Sequence, residues 1–447
     1  MAAVDPVLAR RFAVQVVRRL REYGHVAFWA GGCVRDQLMG QMPKDYDVAT
    51  DATPQRVQEI FGRRRTLFIG AAFGVVTVVG RKGEGQIDVA TFRCDQAYSD
   101  GRHPDAVVFA DAEQDAHRRD FTINGLFYDP LADRVIDYVG GVEDLKQRRI
   151  RAIGDPDARL TEDKLRMLRA VRFAARFDFA IEEKTWEAIV RHASELVIVS
   201  AERIAAEMRL ILTHDSRARG VQLLAESGLL EVILPEARLW RSEGAGEGRT
   251  PVENGAARWL RTLEVLRRLE APTFAVALAA LLRELHQARP GDDLPRVVAQ
   301  RWKLSSDERE GVEKLLAEEA IIRTAPQQPW PKLQRVLTSP RCDELLAYCR
   351  AVAEVVDGTV EAIDYCQRKL ALPPEQLNPP PLISGDDLKR LGVPPGPVYR
   401  QLLDTVRDAQ LQQRIHTRAE ALELARQQWQ RQAQRSIPGQ DDGDPAG

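Results

Sequence analysis

The sequence predicts a mixed α and β domain at the N-terminus, of the α/β or α+β class, followed by a remainder that is nearly all helix. Two observations predict this division. The first 145 or so residues alternate β-rich segments with helical ones and separate them with glycines. From about Leu160 onward β-branched clusters become rare, and Ala, Leu, Arg and Glu recur at helical spacing.

Turn and cap residues predict the individual elements in order. The predicted strands are 26–29, 45–49, 68–79 and 86–93, and the predicted helices of the first domain are 34–39 and 55–61. Thr53 is a good N-cap residue and Pro54 suits the first helical position, so the second helix is expected to begin there. Farther along, residues 241–255 and the proline-rich residues 372–381 predict two loops. The polar, Gly/Pro/Asp-rich residues after about 432 predict disorder.

Length and composition indicate a multidomain globular protein. The chain has 447 residues, more than one hydrophobic core usually organises. Hydrophobic residues make up 44% and charged residues 29%, and no apolar run approaches the roughly 20 residues that cross a bilayer. We therefore expect no membrane association. No basic and apolar leader follows Met1, so the cytoplasm is the expected compartment.

Neither the cysteines nor the net charge indicates a specific partner. The five cysteines are odd in number and scattered, which favours reduced thiols over a disulfide framework or a zinc site. The formal net charge of −2 leaves room for a local basic face. Residues 150–177 form such a basic run, although on charge alone a solvated helix face is the simpler explanation.

Asp45 and Asp47 are candidate metal ligands. They are two positions apart on a predicted strand, so their side chains are expected on the same face. Two carboxylates that close repel each other unless a cation lies between them, and Mg²⁺ prefers oxygen ligands. Taken alone, an Asp-x-Asp pattern is a weak signal and is far more often a solvated turn.

A glycine pair precedes these aspartates at a predicted strand-to-helix junction. Unhindered backbone N–H groups at Gly31 and Gly32 favour a phosphate there, although the pair could also be a tight turn that permits packing. Arg35 lies one turn into the following helix. It could bind a phosphate oxygen, or it could form a salt bridge with Asp36.

Two groups of cations follow farther along the chain. Arg118 and Arg119 precede an apolar helix start and could bind an anion or form a surface basic pair. Arg166, Arg169 and Arg172 recur at every third residue, so on a helix they drift by about 60° per step and stay on one side. A row of this kind can face one polyanion.

Taken together, these motifs resemble those of the class II tRNA nucleotidyltransferase and bacterial poly(A) polymerase family. The four motifs occur in the family's order: Gly-Gly-x-Val-Arg-Asp at 31–36, Asp-x-Asp at 45–47, Arg-Arg-Asp-Phe-Thr-Ile-Asn at 118–124, and Glu-Asp-Lys-Leu-Arg-Met-Leu-Arg-Ala-Val-Arg-Phe at 162–173. The resemblance is strong over residues 24–230 and weaker to about residue 425.

The resemblance implies an α+β fold with a DNA polymerase beta-like nucleotidyltransferase head and an all-helical neck, body and tail in a seahorse-shaped molecule. The implied boundaries are 1–145 for the catalytic head, 146–215 for the neck that binds the base and RNA, 216–360 for the body, 361–431 for the tRNA-binding tail, and 432–447 for a disordered C-terminus.

The resemblance also implies roles for individual residues. Asp45 and Asp47 would bind Mg²⁺, and Asp88 would be a third catalytic carboxylate. The implied nucleotide-binding residues are Gly31, Gly32, Arg35, Arg118, Arg119, Asp163, Arg166, Arg169 and Arg172. Among these, Asp163 and Arg166 would pair with the base of the incoming nucleotide. They are expected one helical turn apart, so that both can face the same base. The implied partners are CTP, ATP and the 3′ acceptor end of tRNA, with no obligatory protein partner.

Two segments favour particular members of the family. Residues 69–76 resemble the tRNA enzymes and lack the basic signature of poly(A) polymerases. Residues 94–105 resemble the loop that lets family enzymes switch from CTP to ATP, so the expected activity is full CCA addition or A addition alone. Full CCA addition is preferred because it is the more widespread arrangement. A poly(A) polymerase ranks next, followed by a catalytically inactive RNA-binding homologue.

A second activity is not expected. Residues 240–355 resemble an HD-type phosphohydrolase module, but Arg261 and the pair Arg283-Glu284 stand where that family has histidine and His-Asp. Guanidinium groups do not ligate metals. The module is therefore interpreted as degenerate, and His286 nearby as a surface or packing residue.

Overall fold

The computed structural model of the chain describes residues 4–70, 74–95, 107–240 and 255–435. The chain divides into two compact units, one of Met1–Arg267 with Leu281–Arg309 and the other of Arg268–Ala280 with Glu310–Gly447. The first unit contains every strand in the described part of the chain. No helix in the described ranges combines the length and apolar character needed to cross a membrane.

The strands of the first unit lie between residues 27 and 181. They are β1 Ala27–Ala30, β2 Asp47–Thr50, β3 Thr66–Gly70, β4 Val75–Val79, β5 Gln86–Thr91, β6 Arg93–Asp95, β7 Val107–Phe109, β8 Leu126–Asp129, β9 Arg134–Asp137, β10 Arg149–Ile150 and β11 Ala180–Ile181. Seven of them form one sheet in the order β3-β4-β5-β2-β1-β8-β9. Within this sheet β2 and β5 are parallel and the other neighbours are antiparallel.

The helices begin in the sheet domain and dominate the chain after it. They are α1 Pro6–Glu22, α2 Gly32–Leu38, α3 Pro54–Phe61, α4 Ala112–His117, α5 Gly141–Lys146, α6 Pro156–Glu162, α7 Leu165–Phe177, α8 Glu183–His192, α9 Ala201–Leu212, α10 Arg217–Glu226, α11 Leu229–Ile233, α12 Gly255–Arg268, α13 Phe274–Ala288, α14 Leu294–Arg301, α15 Ser306–Arg323, α16 Trp330–Leu337, α17 Cys342–Val356, α18 Glu361–Leu370, α19 Pro374–Leu377, α20 Gly385–Arg390, α21 Pro397–Leu411 and α22 Arg418–Arg435. This distribution confirms the predicted α+β class with a helical remainder.

The two faces of the seven-stranded sheet pack differently. Alternate residues such as Val48 and Val89 point to one face, where they form a core with apolar residues of α1 and α3. Residues one position earlier, Asp47 and Asp88, point to the opposite face. The sheet therefore presents carboxylates on the face that does not pack against α1 and α3.

Local signals predicted several elements well. The strand predicted at 26–29 is β1, and the helix predicted at 55–61 is α3. Thr53 caps α3 by accepting a hydrogen bond from the Arg56 amide at 3.4 Å, and Pro54 is its first residue. These residues act through nearest neighbours along the chain, which is why they could be interpreted without tertiary information.

Three predicted segments differ from the structure. The strand predicted at 68–79 is two antiparallel strands, β3 and β4, with Gly74 in the left-handed region at φ 79° just before β4. Residues 71–73 between them lie outside the described residues. The predicted loop 372–381 contains one helical turn, α19, which begins at a proline. The predicted disordered terminus overlaps α22, which extends to Arg435, and its residues 436–447 lie outside the described residues.

The structure does not describe every segment on which a prediction rests. Residues 96–105 of the segment compared with the nucleotide-switching loop lie outside the described residues, as do residues 241–254 of the first predicted loop. β6 and β7, which flank the former segment, pair as an antiparallel hairpin. The boundaries of head, neck, body and tail remain predictions.

Candidate functional site

A cavity of about 440 Å³ in the first unit collects most of the predicted site residues. Its lining contains seven arginines and three aspartates: Arg35, Arg118, Arg119, Arg166, Arg169, Arg172, Arg176, Asp47, Asp120 and Asp163. Gly31, Gly32, Asn124 and Phe173 complete the wall. Cations outnumber anions strongly, so the cavity suits a polyanionic ligand.

The glycine pair forms the turn from β1 into α2. Gly31 has φ 72°, and a Cβ there would lie 2.9 Å from Nη1 of Arg119 and 3.6 Å from the carbonyl oxygen of Asn124. Glycine is therefore favoured at position 31 for two reasons: the backbone is in the left-handed region, and a side chain there would clash with Arg119. Gly32 begins α2 and also lines the cavity. Both predicted glycines therefore contribute backbone to the cavity wall.

Arg35 is buried, with only 5% of its surface exposed. Its Nε and Nη2 donate to Asp36 at 2.8 and 2.6 Å, and its Nη1 donates to the side chain of Asn124 at 2.6 Å. The guanidinium also lies over the rings of Phe173 and Phe177, at 5.5 and 4.6 Å from their centroids. Burial lowers the pKa of Arg35, and Asp36 partly offsets that effect. The salt bridge with Asp36 is therefore formed, and Arg35 lines the cavity as well.

Asp115 of α4 holds the next two arginines. One carboxylate oxygen accepts from Arg118 at 2.7 Å and the other from Arg119 at 2.9 Å. Burial acts to raise the pKa of Asp115, but the charges and hydrogen bonds of the two arginines outweigh it, so the pKa is lowered. The shared carboxylate fixes both guanidinium groups, which reduces the entropy lost when they bind an anion.

Asp163 lies outside the helix that carries Arg166, although the two were expected one helical turn apart. It is in extended conformation between α6 and α7, where its carboxylate accepts from Arg203 at 2.7 Å and from the Leu165 amide at 3.0 Å. Arg166 is 8% exposed and donates to the carboxylate of Glu162 and to the carbonyl oxygen of Arg118. Both residues still line the same cavity.

The other two arginines of α7 are paired with carboxylates from distant parts of the chain. Arg169 donates to Asp120 at 2.8 and 2.6 Å, and Arg172 donates to Glu207 at 2.6 Å. Asp120 raises the pKa of Arg169, while burial lowers the pKa of Arg172. These ion pairs connect α7 to the motif at 118–124 and to α9.

The Asp120–Arg169 pair predicts a pH-dependent contribution to stability. Burial would raise the pKa of Asp120, but Arg169 and hydrogen bonds lower it from 3.8 to about 2. The contribution of this ion pair to the free energy of unfolding is therefore fully present above about pH 4 and is lost as the pH falls toward about 2. We expect Asp120→Asn to lower the free energy of unfolding at neutral pH by about 2 kcal/mol. Urea titrations should show this difference shrinking between about pH 4 and 2, and a constant difference would contradict the assignment.

The predicted metal ligands are arranged differently from expectation. Asp45 lies in a bend before β2, which begins at Asp47, so the two carboxylates are not related by strand alternation. Asp47 and Asp88 are register partners on the parallel strands β2 and β5. Asp47 lines the cavity, whereas Asp45 and Asp88 do not. The Asp88 carboxylate accepts from the Thr77 hydroxyl at 2.6 Å.

The carboxylates around Asp47 nevertheless fit a divalent cation. The pKa of Asp47 is raised to about 6, chiefly by burial and then by the negative charge of Asp88, with a smaller contribution from Asp45, while Arg119 acts to lower it. A cation with oxygen ligands would relieve this repulsion. Among the described residues, no three His, Cys, Asp or Glu side chains are arranged to hold a metal ion. A bound Mg²⁺ would therefore take its remaining ligands from water and substrate phosphates.

The residues compared with an HD-type metal site form an ion-pair cluster. Glu284, 4% exposed, accepts from Arg261 at 3.0 Å and from Arg283. Both guanidinium groups donate hydrogen bonds to this carboxylate, and a guanidinium group cannot ligate a metal. His286 is half-buried, with its Nδ1 enclosed and without a hydrogen-bond partner among the described residues.

The sequence analysis gave no site role to four residues that line the cavity, Asp120, Asn124, Phe173 and Arg176, or to Asp115, which pairs with two of its arginines. Asp120 and Asn124 belong to the motif at 118–124, so their closeness in sequence to Arg118 and Arg119 could have indicated that they lie at the same site. Asp115 carried the helical i, i+3 and i, i+4 spacing to the same two arginines. Phe173 and Arg176 continue the α7 series, and Arg176 follows Arg172 by one turn.

Comparisons with known proteins identify the family to which the chain belongs. A family model described as the poly A polymerase head domain matches residues 27–151, and one described as a probable RNA and SrmB-binding site of polymerase A matches residues 178–240. The CCA-adding enzyme of Geobacillus stearothermophilus is 35% identical over 344 residues, which cover 73% of this chain and 82% of that protein. Poly(A) polymerase I of Haemophilus influenzae is 37% identical over 252 residues, which cover 54% of this chain and 55% of that one.

Solved structures extend the similarity over most of the chain. The Bacillus stearothermophilus CCA-adding enzyme in complex with CTP has a TM-score of 0.73 at 27% identity, covering 94% of this chain and 98% of that one. The Thermotoga maritima CCA-adding enzyme complexed with tRNA has a TM-score of 0.63 at 20% identity, covering 95% and 96%, which supports the fold alone.

Proposed function

Because this chain belongs to the family of CCA-adding enzymes and bacterial poly(A) polymerases, we propose that it adds CMP and AMP to the 3′ end of tRNA in the cytoplasm. The observation that carries the proposal is the cavity in which Asp47, the Gly31–Gly32 turn and the base-selecting pair Asp163 and Arg166 meet, surrounded by arginines. A nucleoside triphosphate has the matching chemistry, with a polyanionic tail and a base edge.

The reaction joins the RNA 3′-oxygen to the α-phosphorus of the nucleotide. As that bond forms, the bond from the α-phosphorus to the oxygen bridging to the β-phosphate breaks, pyrophosphate leaves, and the hydroxyl proton passes to solvent. No protein nucleophile is required. Nucleotidyl transfer in this family is generally metal-dependent. We propose Mg²⁺ held by Asp45 and Asp47, which when bound supplies positive charge to the transferring phosphate and the leaving pyrophosphate. The role of Asp88 as a third catalytic carboxylate stays a prediction.

The basic wall of the cavity is proposed to bind the triphosphate. Arg118 and Arg119 are already oriented by Asp115, so they offer donors with little ordering cost. The backbone at Gly31 and Gly32 allows close approach of a phosphate. Arg35 contributes charge from the wall, with its Nε and Nη2 engaged by Asp36.

The base would be selected by Asp163 and Arg166. A carboxylate accepts from the exocyclic amine that cytosine and adenine share, and a guanidinium donates to ring nitrogen or carbonyl acceptors. Uracil and guanine carry a carbonyl where cytosine and adenine carry the amine, so a buried acceptor would face another acceptor. Arg203 and Glu162 orient the pair by binding Asp163 and Arg166 respectively. Arg169 and Arg172 are proposed to extend the nucleotide site along α7.

Metal removal tests whether the transfer chemistry is present. Purified protein should incorporate labelled CMP and AMP into tRNA that lacks its 3′ end when Mg²⁺ is supplied. We expect EDTA to abolish incorporation and excess Mg²⁺ to restore it, because the carboxylates and the phosphates repel each other unless a cation lies between them. Full incorporation in EDTA would contradict the metal assignment, and no incorporation under any condition would favour a catalytically inactive RNA-binding homologue.

A further inference from the structure

One arginine of the cavity differs from the other six. Arg35, Arg118, Arg119, Arg166, Arg169 and Arg172 each have a carboxylate partner. Arg176 is exposed, and among the described residues it has neither a salt bridge nor a hydrogen bond. Its guanidinium lies over the ring of Phe177, 5.3 Å from the centroid. Its five N–H donors are therefore available to a ligand.

Arg176 also has a defined place in the cavity. It is ten residues beyond Arg166 along α7, a rise of about 15 Å. Helical geometry places it within about 60° of Arg169 and Arg172 around the axis, so it stays on the cavity side. Arg35 packs over Phe173 and Phe177, the residues on either side of this last turn. Arg176 therefore lies at the end of the cavity opposite the base-selecting pair.

Arg176 is close enough to other basic side chains to affect their pKa values. The positive charge of Arg176 contributes to the lowered pKa of Arg35 and of His214, after the larger effect of burial in each case. Lys44 also acts on His214. Asp215 acts on His214 in the opposite direction, and Arg35 is paired with Asp36, so of these two arginines it is Arg176 that lacks a carboxylate partner among the described residues. A bound anion would stabilise its charge.

We propose that Arg176 binds the terminal phosphates of the incoming nucleoside triphosphate. This inference rests on the proposed function and adds a residue to the nucleotide site that the four sequence motifs do not contain. A phosphate of the RNA end has the same chemistry. The triphosphate is favoured because the charge of Arg176 acts on Arg35, and Arg35 lies against the glycine turn, where a Cβ on Gly32 would be 3.5 Å from its Nη2. A nucleotide whose base meets Asp163 would place its tail at this turn.

The test measures binding of CTP and CMP to Arg176→Gln by calorimetry without RNA. Sodium chloride at 0.5 M reduces the screening length to about 4 Å, so that contacts outweigh the general field. We expect CTP affinity to fall about three- to tenfold and CMP affinity to stay unchanged, because CMP lacks the terminal phosphates. Arg176→Lys should retain part of the CTP affinity. Arg18→Gln is the matched control, since Arg18 is an exposed arginine of α1 outside the cavity.

Two results would overturn the inference. Unchanged CTP affinity in Arg176→Gln would show that Arg176 does not bind the triphosphate. If the KM for tRNA rose at the same time, Arg176 would be assigned to binding the phosphates of the RNA. An equal loss of CTP and CMP affinity would also exclude a contact with the terminal phosphates. Wild-type protein that binds CTP but transfers nothing would contradict the proposed function and leave this test valid.

Discussion

Replacing Asp47 with Asn is expected to lower the rate of CMP and AMP addition about a thousandfold or more. The lost interaction is metal binding at the transferring phosphate, which contributes several kcal/mol to the transition state. Because Asp88 and Asp45 repel the carboxylate of Asp47, the substitution is expected to leave the thermal unfolding temperature unchanged or slightly raised. Single-turnover incorporation and thermal unfolding measure the two effects separately.

The control for this prediction is Glu113→Gln. Glu113 is an exposed carboxylate of α4 in the same domain that does not line the cavity, so its loss should change neither rate nor stability. Asp45→Asn should behave like Asp47→Asn if both residues hold the ion. Near-wild-type turnover in both aspartate variants would eliminate the metal assignment, whereas loss of activity together with unfolding would leave only a structural role.

Replacing Asp163 with Ala is expected to reduce discrimination against UTP and GTP by about 5- to 150-fold. A lost partner at a buried polar site costs about 1–3 kcal/mol, and the correct base loses that hydrogen bond while the wrong base loses a repulsive contact. The measured quantity is the ratio of kcat/KM values for CTP over UTP and for ATP over GTP. Arg166→Lys should reduce the same ratios, because a single ammonium cannot replace the planar fork of donors.

Glu187→Gln provides the matched control for base selection. Glu187 is an exposed residue of α8, outside the cavity, so all four nucleotides should be used in wild-type proportions. Equal losses of kcat/KM for all nucleotides in Asp163→Ala would assign Asp163 to general binding. Ratios unchanged from wild type would reject base selection by this residue.

Much of the fold could be predicted because its signals are local. Gly31 and the Thr53-Pro54 cap determine their turns through backbone preferences of adjacent residues. The single strand predicted at 68–79 was avoidable in part, since Gly70 and Gly74 interrupt that apolar run and the structure has two antiparallel strands, β3 and β4, over this range. The misplaced strand start at Asp45 reflects the usual uncertainty of one or two residues at an element's end.

The interior of the site was harder to predict because it depends on contacts between distant residues. Arg169 pairs with Asp120 across 49 positions, and Arg172 with Glu207 across 35. No local pattern distinguishes a cation that faces such a carboxylate from one that faces a ligand. The row of arginines on α7 therefore predicted a polyanion-binding face, whereas only the tertiary structure identified Arg176 as the member without an acidic partner among the described residues. The catalytic assignments themselves remain predictions.

Sequencing the 3′ ends that the wild-type protein makes on three RNAs distinguishes full CCA addition from A addition alone and from poly(A) synthesis. The substrates are tRNA ending at the discriminator base, tRNA ending in CC, and an unstructured oligonucleotide, each with CTP, ATP and Mg²⁺. We predict CCA on the first, a single A on the second, and no long A tail on the third. Extension of only the second substrate, and only with ATP, would contradict full CCA addition, and long A tails on the oligonucleotide would identify a poly(A) polymerase.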